Sequence, residues 1–133
     1  MKTKNITIIT AALFITAFTS CKEEGEECTA GTGGTVTIVA YPKHHSAETR
    51  PYTVHVKFNT QNSPGTDPAN YDLNIDADTT ENHIEIENLK CGDYYIYMTA
   101  YDTAISAGVS GGIPTTIAEG ATGEINLNVP VTE

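Results

Sequence analysis

The stretch that decides the fold is IEIENLKCGDYYIYMTAYD, Ile84 to Asp102. Ile84 and Ile86 alternate with His83, Glu85 and Glu87. A short polar break follows. Beyond it Tyr94, Ile96, Met98 and Ala100 take one parity, and Tyr95, Tyr97 and Tyr101 the other. Successive side chains of a strand point to opposite faces, so this is a strand, a turn and a strand, each with one face inward. The same period-two pattern recurs outside it. Val36, Ile38 and Ala40 alternate with Thr35, Thr37 and Val39; Tyr52, Val54, Val56 and Phe58 with Thr53, His55 and Lys57; Ile125, Leu127 and Val129 with Glu124, Asn126 and Asn128. Valine, isoleucine, threonine and tyrosine are strand formers, and no window carries a helical stripe. QNSPGTDPAN (Gln61–Asn70), VSGGIP and EGATGE read as breaks, rich in Pro, Gly and Asn. Strands are expected at 35–41, 51–59, 71–75, 83–88, 93–101, 113–118 and 123–130. About seven short strands with regular turns predict an all-β fold, a single two-sheet antiparallel β-sandwich.

Within the opening stretch, Leu89, Gly92 and Tyr94 form a Leu-x-x-Gly-x-Tyr pattern. It resembles the hairpin of transthyretin-like (prealbumin-like) and related Ig-like sandwich domains. The resemblance implies that the leucine and tyrosine anchor the core and that the glycine makes the turn. The proline common before that glycine is Cys91 here. Such domains in secreted bacterial proteins are structural, linking or binding modules, and fold alone does not assign an activity. With Tyr94 inward, Tyr95, Tyr97 and Tyr101 are expected outward, as a face for a protein partner or a stacked sugar. The competing reading is that loops cover them, or that they are ordinary cross-strand neighbours. The absence of tryptophan counts against a dedicated carbohydrate-binding module.

The N-terminus reads as a targeting segment. Lys2 and Lys4 precede Ile6–Phe18, 13 uncharged residues. That is shorter than the roughly 20 apolar residues of a spanning helix and suits a secretory signal. Thr19-Ser20-Cys21 resembles a bacterial lipobox, with Phe18 where leucine is commonest. This implies cleavage before Cys21, which is lipidated (palmitate among the chains) and becomes the new N-terminus. One acyl chain binds only marginally, each buried methylene adding about 0.8 kcal/mol, so stable anchoring to the outer membrane implies two or three chains. Lys22, Glu23 and Glu24 resemble the export signal of surface lipoproteins in Bacteroidota-type bacteria, which implies a lipid-anchored protein facing the cell exterior. The plainer reading of Lys22–Glu27 is a solvated acidic tether. The expected organisation is a signal peptide at 1–20, a lipidated cysteine and tether at 21–34, and one domain at 35–133.

The full chain carries 7 basic and 17 acidic residues, a net charge of −10. Loss of residues 1–20 removes two lysines and leaves −12. No basic footprint for nucleic acid exists. With Cys21 lipidated, Cys28 and Cys91 remain in an oxidising compartment, where a disulfide is expected; the alternative is two free thiols. Such a bond closes about 64 residues and is worth about 4 kcal/mol by chain entropy.

Few residues offer chemistry. Gly108-Val-Ser110-Gly-Gly112 matches a nucleophile-elbow pattern, but that pattern needs a strand-to-helix turn, and a glycine-rich turn or bulge is the better reading. Asp76, Asp78 and Glu81, with Glu87 at the twelfth position, resemble a calcium loop whose sixth position lacks glycine. His44, His45, His55 and His83 show no metal-ligand spacing and are expected on the surface. No cofactor or metal is implied. The expected function is therefore interaction: a non-enzymatic accessory subunit of an outer-membrane transport or secretion assembly. The second expectation is a glycan- or peptide-binding module using the tyrosine face or the loops at 43–50 and 61–70. The third is a small hydrolase around Ser110.

Overall fold

β-branched and aromatic residues at alternate positions build eight strands in the computed structural model, which describes residues 28–133. Cys21, Lys22, Glu23 and Glu24, and the signal peptide before them, lie outside the described residues. The strands are β1 (Thr32–His44), β2 (Ala47–Glu48), β3 (Arg50–Phe58), β4 (Leu73–Asp76), β5 (Ile84–Leu89), β6 (Gly92–Asp102), β7 (Ala107–Ile117) and β8 (Gly123–Pro130). They form two sheets, as expected for a β-sandwich. In the first, β1 is central, with β5 and the two-residue β2 along one side and β8 along the other. The second has the order β4-β3-β6-β7. The inner faces meet in one core of Val36, Ile38 and Ile86 against Val56, Ile96 and Met98, each no more than 1% exposed.

The sequence expectation needs three corrections. The first sheet is mixed rather than antiparallel, because β1 and β8 run parallel from Val36–Gly123 to Lys43–Pro130. First and last strands of the fold thus lie side by side, a pairing that short-range pattern cannot foresee. β1 continues through Pro42 to His44. Residues 107–112, expected as a turn or break, are the first half of β7, paired with β6 from Asp102–Ala107 onward. Their glycines serve close approach. A Cβ on Gly111 would collide with the Pro130 carbonyl, and one on Gly112 would sit 2.7 Å from the Tyr95 ring. The chain after β8 crosses here, bonding its Thr132 to Ser110.

Strand directions place the two ends of the described chain at opposite ends of the sandwich. The first residues, the 59–72 loop, the β5–β6 turn and the 118–122 loop share one end, here called proximal. The 45–46 turn, the loops at 77–83 and 103–106, and Val131–Glu133 share the other, the distal end.

At the proximal end, residues 28–31 are fastened to the β5–β6 hairpin. Cys28 is disulfide-bonded to Cys91. The Ala30 amide donates to Asn59 Oδ1 at 2.9 Å. The Tyr94 hydroxyl accepts from the Gly31 amide at 3.0 Å and donates to the Lys90 carbonyl at 2.7 Å. The Lys90 amide donates to the Gly31 carbonyl at 2.9 Å. Gly92 permits this closure: its φ is +136° and a side chain there would strike Ala30. Leu89 and Tyr94 are fully buried, the roles that the hairpin resemblance implied. Burial pushes the Tyr94 phenol above its usual range.

Replacing both Cys28 and Cys91 with serine is expected to lower stability by up to about 4 kcal/mol, read from the urea midpoint. Identical midpoints with and without reductant would mean that the noncovalent contacts alone hold residues 28–31. Tyr94→Phe leaves the Gly31 amide and the Lys90 carbonyl short of a partner and is expected to cost about 1–3 kcal/mol.

Candidate functional site

The outer face of the second sheet carries the expected tyrosines, but the fold divides them. Tyr97 and His55 are cross-strand partners on β6 and β3, and their rings stack with centroids 5.9 Å apart. Tyr71 lies over both, 6.0 Å from Tyr97 and 5.4 Å from His55. It arrives there because the 59–72 loop folds back over the sheet. Asp67 caps a single 3-10 turn, Pro68–Asn70, by accepting from the Ala69 amide. Asn70 donates to the Pro64 carbonyl, and the Tyr71 hydroxyl to the Gly65 carbonyl at 2.7 Å. Asn74 Oδ1 meets His55 Nδ1 at 2.5 Å. Tyr97 is 8% exposed and His55 5%, so the expectation of an open tyrosine row and a surface His55 is corrected: a loop of prolines and asparagines covers both. Burial first, then the neighbouring phenols Tyr95 and Tyr97, pushes Tyr71 up to about 12.

Tyr95 is half-buried above Gly112. Tyr101, also half-buried, faces Tyr52 with ring centroids 6.3 Å apart. Tyr52 is 51% exposed, although its parity in the sequence placed it inward. The cause is a β-bulge: Pro51 pairs with Ala100 and Thr53 with Thr99, so β3 spends an extra residue at Tyr52. That extra residue turns the ring outward. What remains accessible is thus a tyrosine pair toward the distal end, where Ile105 is also exposed, at 44%.

The distal end holds a buried pair. His44 Nδ1 donates to Asp102 Oδ2 at 2.7 Å, since a carboxylate can only accept. The Ala104 amide donates to the other Asp102 oxygen at 2.8 Å. His44 is 3% exposed, which corrects its expected place on the surface. His45, exposed, stacks on it at 4.0 Å. His45 and Ser46 form a two-residue hairpin with φ of +48° and +66°, the twist-matched turn that normally selects Asn and Gly. The alternation itself could have found the pair. Val36, Ile38, Ala40, Pro42 and His44 share one parity of β1, and Ile96, Met98, Ala100 and Asp102 share one parity of β6. Both series face the core, and both run past the strand ends expected at 41 and 101. The bonds to His44 and Ala104 hold the Asp102 carboxyl below the usual carboxylate range.

A histidine bonded to an aspartate is half of a nucleophilic triad. Among the described residues no hydroxyl or thiol is hydrogen-bonded to His44. Ser110 lies within β7, opposite Thr99 and bridged to Thr132, in an extended strand rather than at a strained elbow. The pair ties β1 of one sheet to β6 of the other, which is a structural task. Asp78 accepts from the Thr80 amide and hydroxyl, which lower its pKa, while Glu87 stands well along β5. Among the described residues no group of three or more His, Cys, Asp and Glu side chains is arranged to hold a metal.

Two titrations test these environments. An unfolded tyrosine ionises near 10, so the stability that Tyr71 contributes as a neutral phenol is complete below about pH 10 and declines as pH rises toward 12. Ultraviolet titration should show late-ionising phenols, one of which is lost in Tyr71→Phe while that of Tyr94 remains. Asp102 has the opposite sign. Its contribution is complete above about pH 4 and is lost as pH falls through its lower folded value. Asp102→Asn should flatten that part of the acid-unfolding curve; an unchanged curve would remove the pair from the account of stability. Comparison with protein-family models, curated proteins and solved structures finds no match for this chain.

Proposed function

We propose that this chain is a non-enzymatic, surface-exposed outer-membrane lipoprotein whose sandwich, transthyretin-like in its hairpin, serves as an interaction subunit of an outer-membrane transport or secretion assembly. The observation that carries this reading is the fastening of residues 28–31 at the proximal end. A lipid on Cys21 would be separated from that fastening by only Lys22–Glu27. Seven residue steps reach at most about 25 Å, so the domain would stand close to the membrane, proximal end down. Fastening of this kind transmits a pull from the anchor into the hairpin at the base of the core. The lipobox resemblance, the Lys22-Glu23-Glu24 segment and the acidic net charge support the same assignment.

A second reading is ligand capture, favoured by exposed Tyr52 beside half-buried Tyr101. Aromatic faces stack on sugars and on peptide side chains, and this pair lies toward the end away from the proposed anchor.

Extraction of the full-length, C-terminally tagged protein from its native membranes in mild detergent separates the two. A companion at near one-to-one stoichiometry is expected, together with loss of membrane association in Cys21→Ala. A lone monomer whose Tyr52 and Tyr101 signals shift on glycan titration would replace the subunit reading with ligand capture.

A further inference from the structure

We infer that the free edge of β8 is a docking site for an extended, uncharged strand of a different protein, whose alternate apolar side chains enter the seam between β8 and β7. An open sandwich must blunt its sheet edges or use them. Three of the four edges here are blunted. β4 has only four residues and ends in Asp76. The β5 edge carries exposed Glu85 and Glu87. β7 carries exposed Pro114, which has no N–H to offer, and its start is already paired through Ser110 and Thr132. Among the described residues β8 pairs with β1 alone and has no such guard from Ile125 to Val129.

The surroundings of that edge differ from the rest of the surface. Between Thr103 and Thr132 the only charged residues are Glu119 and Glu124, in a chain with 24 Asp, Glu, Lys and Arg. Depletion of charge is the compositional mark of an interface core. Ile113, Ile125 and Leu127 are only partly buried against the core, so the sandwich is not closed along this side. Beside the distal end of the seam, where the chain after β8 crosses to Ser110, lies a groove of about 710 Å³, lined by Lys43, His44, Ile113, Pro130 and Val131 among others. A strand added to β8 would take the unpaired backbone groups and set every second side chain beside Ile125 and Leu127, facing Ile113. Main-chain pairing supplies affinity in such additions and the alternate pockets supply selectivity.

Geometry decides against a second copy of this chain, and this step rests on the lipid-anchor reading. A two-fold pair of β8 strands would be antiparallel, so one copy would be inverted. The 13 residues of β1 rise about 40 Å, and a tether reaching about 25 Å cannot return the inverted copy to the same membrane. A two-fold axis along the strands would make them parallel but would turn one sheet over, setting the inner face of one β8 beside the outer face of the other.

The test uses the full chain in its native membranes. Asn126 and Asn128 on β8, and Glu85 and Glu87 on β5 as controls, are each replaced by the photocrosslinker p-benzoylphenylalanine. All four positions are exposed. Irradiation should give an adduct from the β8 positions about tenfold stronger than from β5. Peptide mapping should place it in one partner segment that is apolar at alternate positions and free of charge. Leu127→Lys, combined with the crosslinker at Asn126, should lower the yield about tenfold, with the Cys28–Cys91 bond intact as the sign of folding. The mapped adduct decides the matter even if that variant fails to fold. Adducts equally strong from β5, adducts only to a second copy, or none from β8 would overturn the inference. Detergent-phase partition of the same sample reads the anchor separately. Protein found in the aqueous phase would overturn the lipid reading and with it the choice of a different protein over a second copy. Detergent-phase protein crosslinked only to itself would overturn the docking inference and leave the anchor standing.

Discussion

The hydroxyl of Tyr94 is the point on which the proximal half of the molecule turns. Its ring fills the base of the core, edge-on to Phe58 at 5.7 Å, and its oxygen reaches the rim. There it satisfies a backbone group from the incoming chain and another from the hairpin, the Gly31 amide and the Lys90 carbonyl. A phenylalanine could fill the volume, but it could not serve those two polar groups, and buried backbone groups without partners are costly. The disulfide, the Asn59 amide and the bare face of Gly92 all act within one turn of this oxygen. The start of the chain is thereby part of the core's closure rather than an appendage to it.

The distal end solves the same problem with charge. His44 and Asp102 continue the inward parity of β1 and β6 to the point where the two sheets begin to part. An apolar pair would close this rim as well in terms of area. The histidine and carboxylate instead add a directional side-chain tie between the two sheets, whose inner faces otherwise meet through apolar contact. The long side between β7 and β8 has neither device. Its apolar residues stay half-covered and, among the described residues, the edge of β8 stays open, while the other three edges are short, acidic or broken by proline. Openness is therefore confined to a single, nearly uncharged side of an otherwise acidic molecule.

These features are the ground on which an interaction module is proposed. The residues that resemble catalytic or metal-binding sets are separated or occupied by the fold itself: Ser110 by strand pairing, Asp78 by its own turn, His44 by Asp102. The tyrosines, the strongest binding signal in the sequence, are partly used up as a roof beam under the 59–72 loop. The β-bulge at Tyr52 then sets an exposed ring beside half-buried Tyr101 farther along the same sheet.

How much of this could be read in advance follows from the range of the forces involved. Period-two alternation is local, so the sequence alone determined most of the strands, the inward face of β6, the Leu89–Gly92–Tyr94 hairpin and the two-layer architecture. It also held the His44–Asp102 pair, visible once the parity of β1 and β6 is followed to their ends. Bulges, loop covers and the pairing of first and last strands are contacts between residues distant in the chain, with no local signature. Tertiary structure alone decided that Tyr52 faces out, that Tyr71 covers Tyr97 and His55, and that the glycines at 111 and 112 make room for a crossing chain and a tyrosine ring. It likewise decided that β8 lies parallel to β1 with one edge bare, because which edge is left over depends on how every other strand has found its partner.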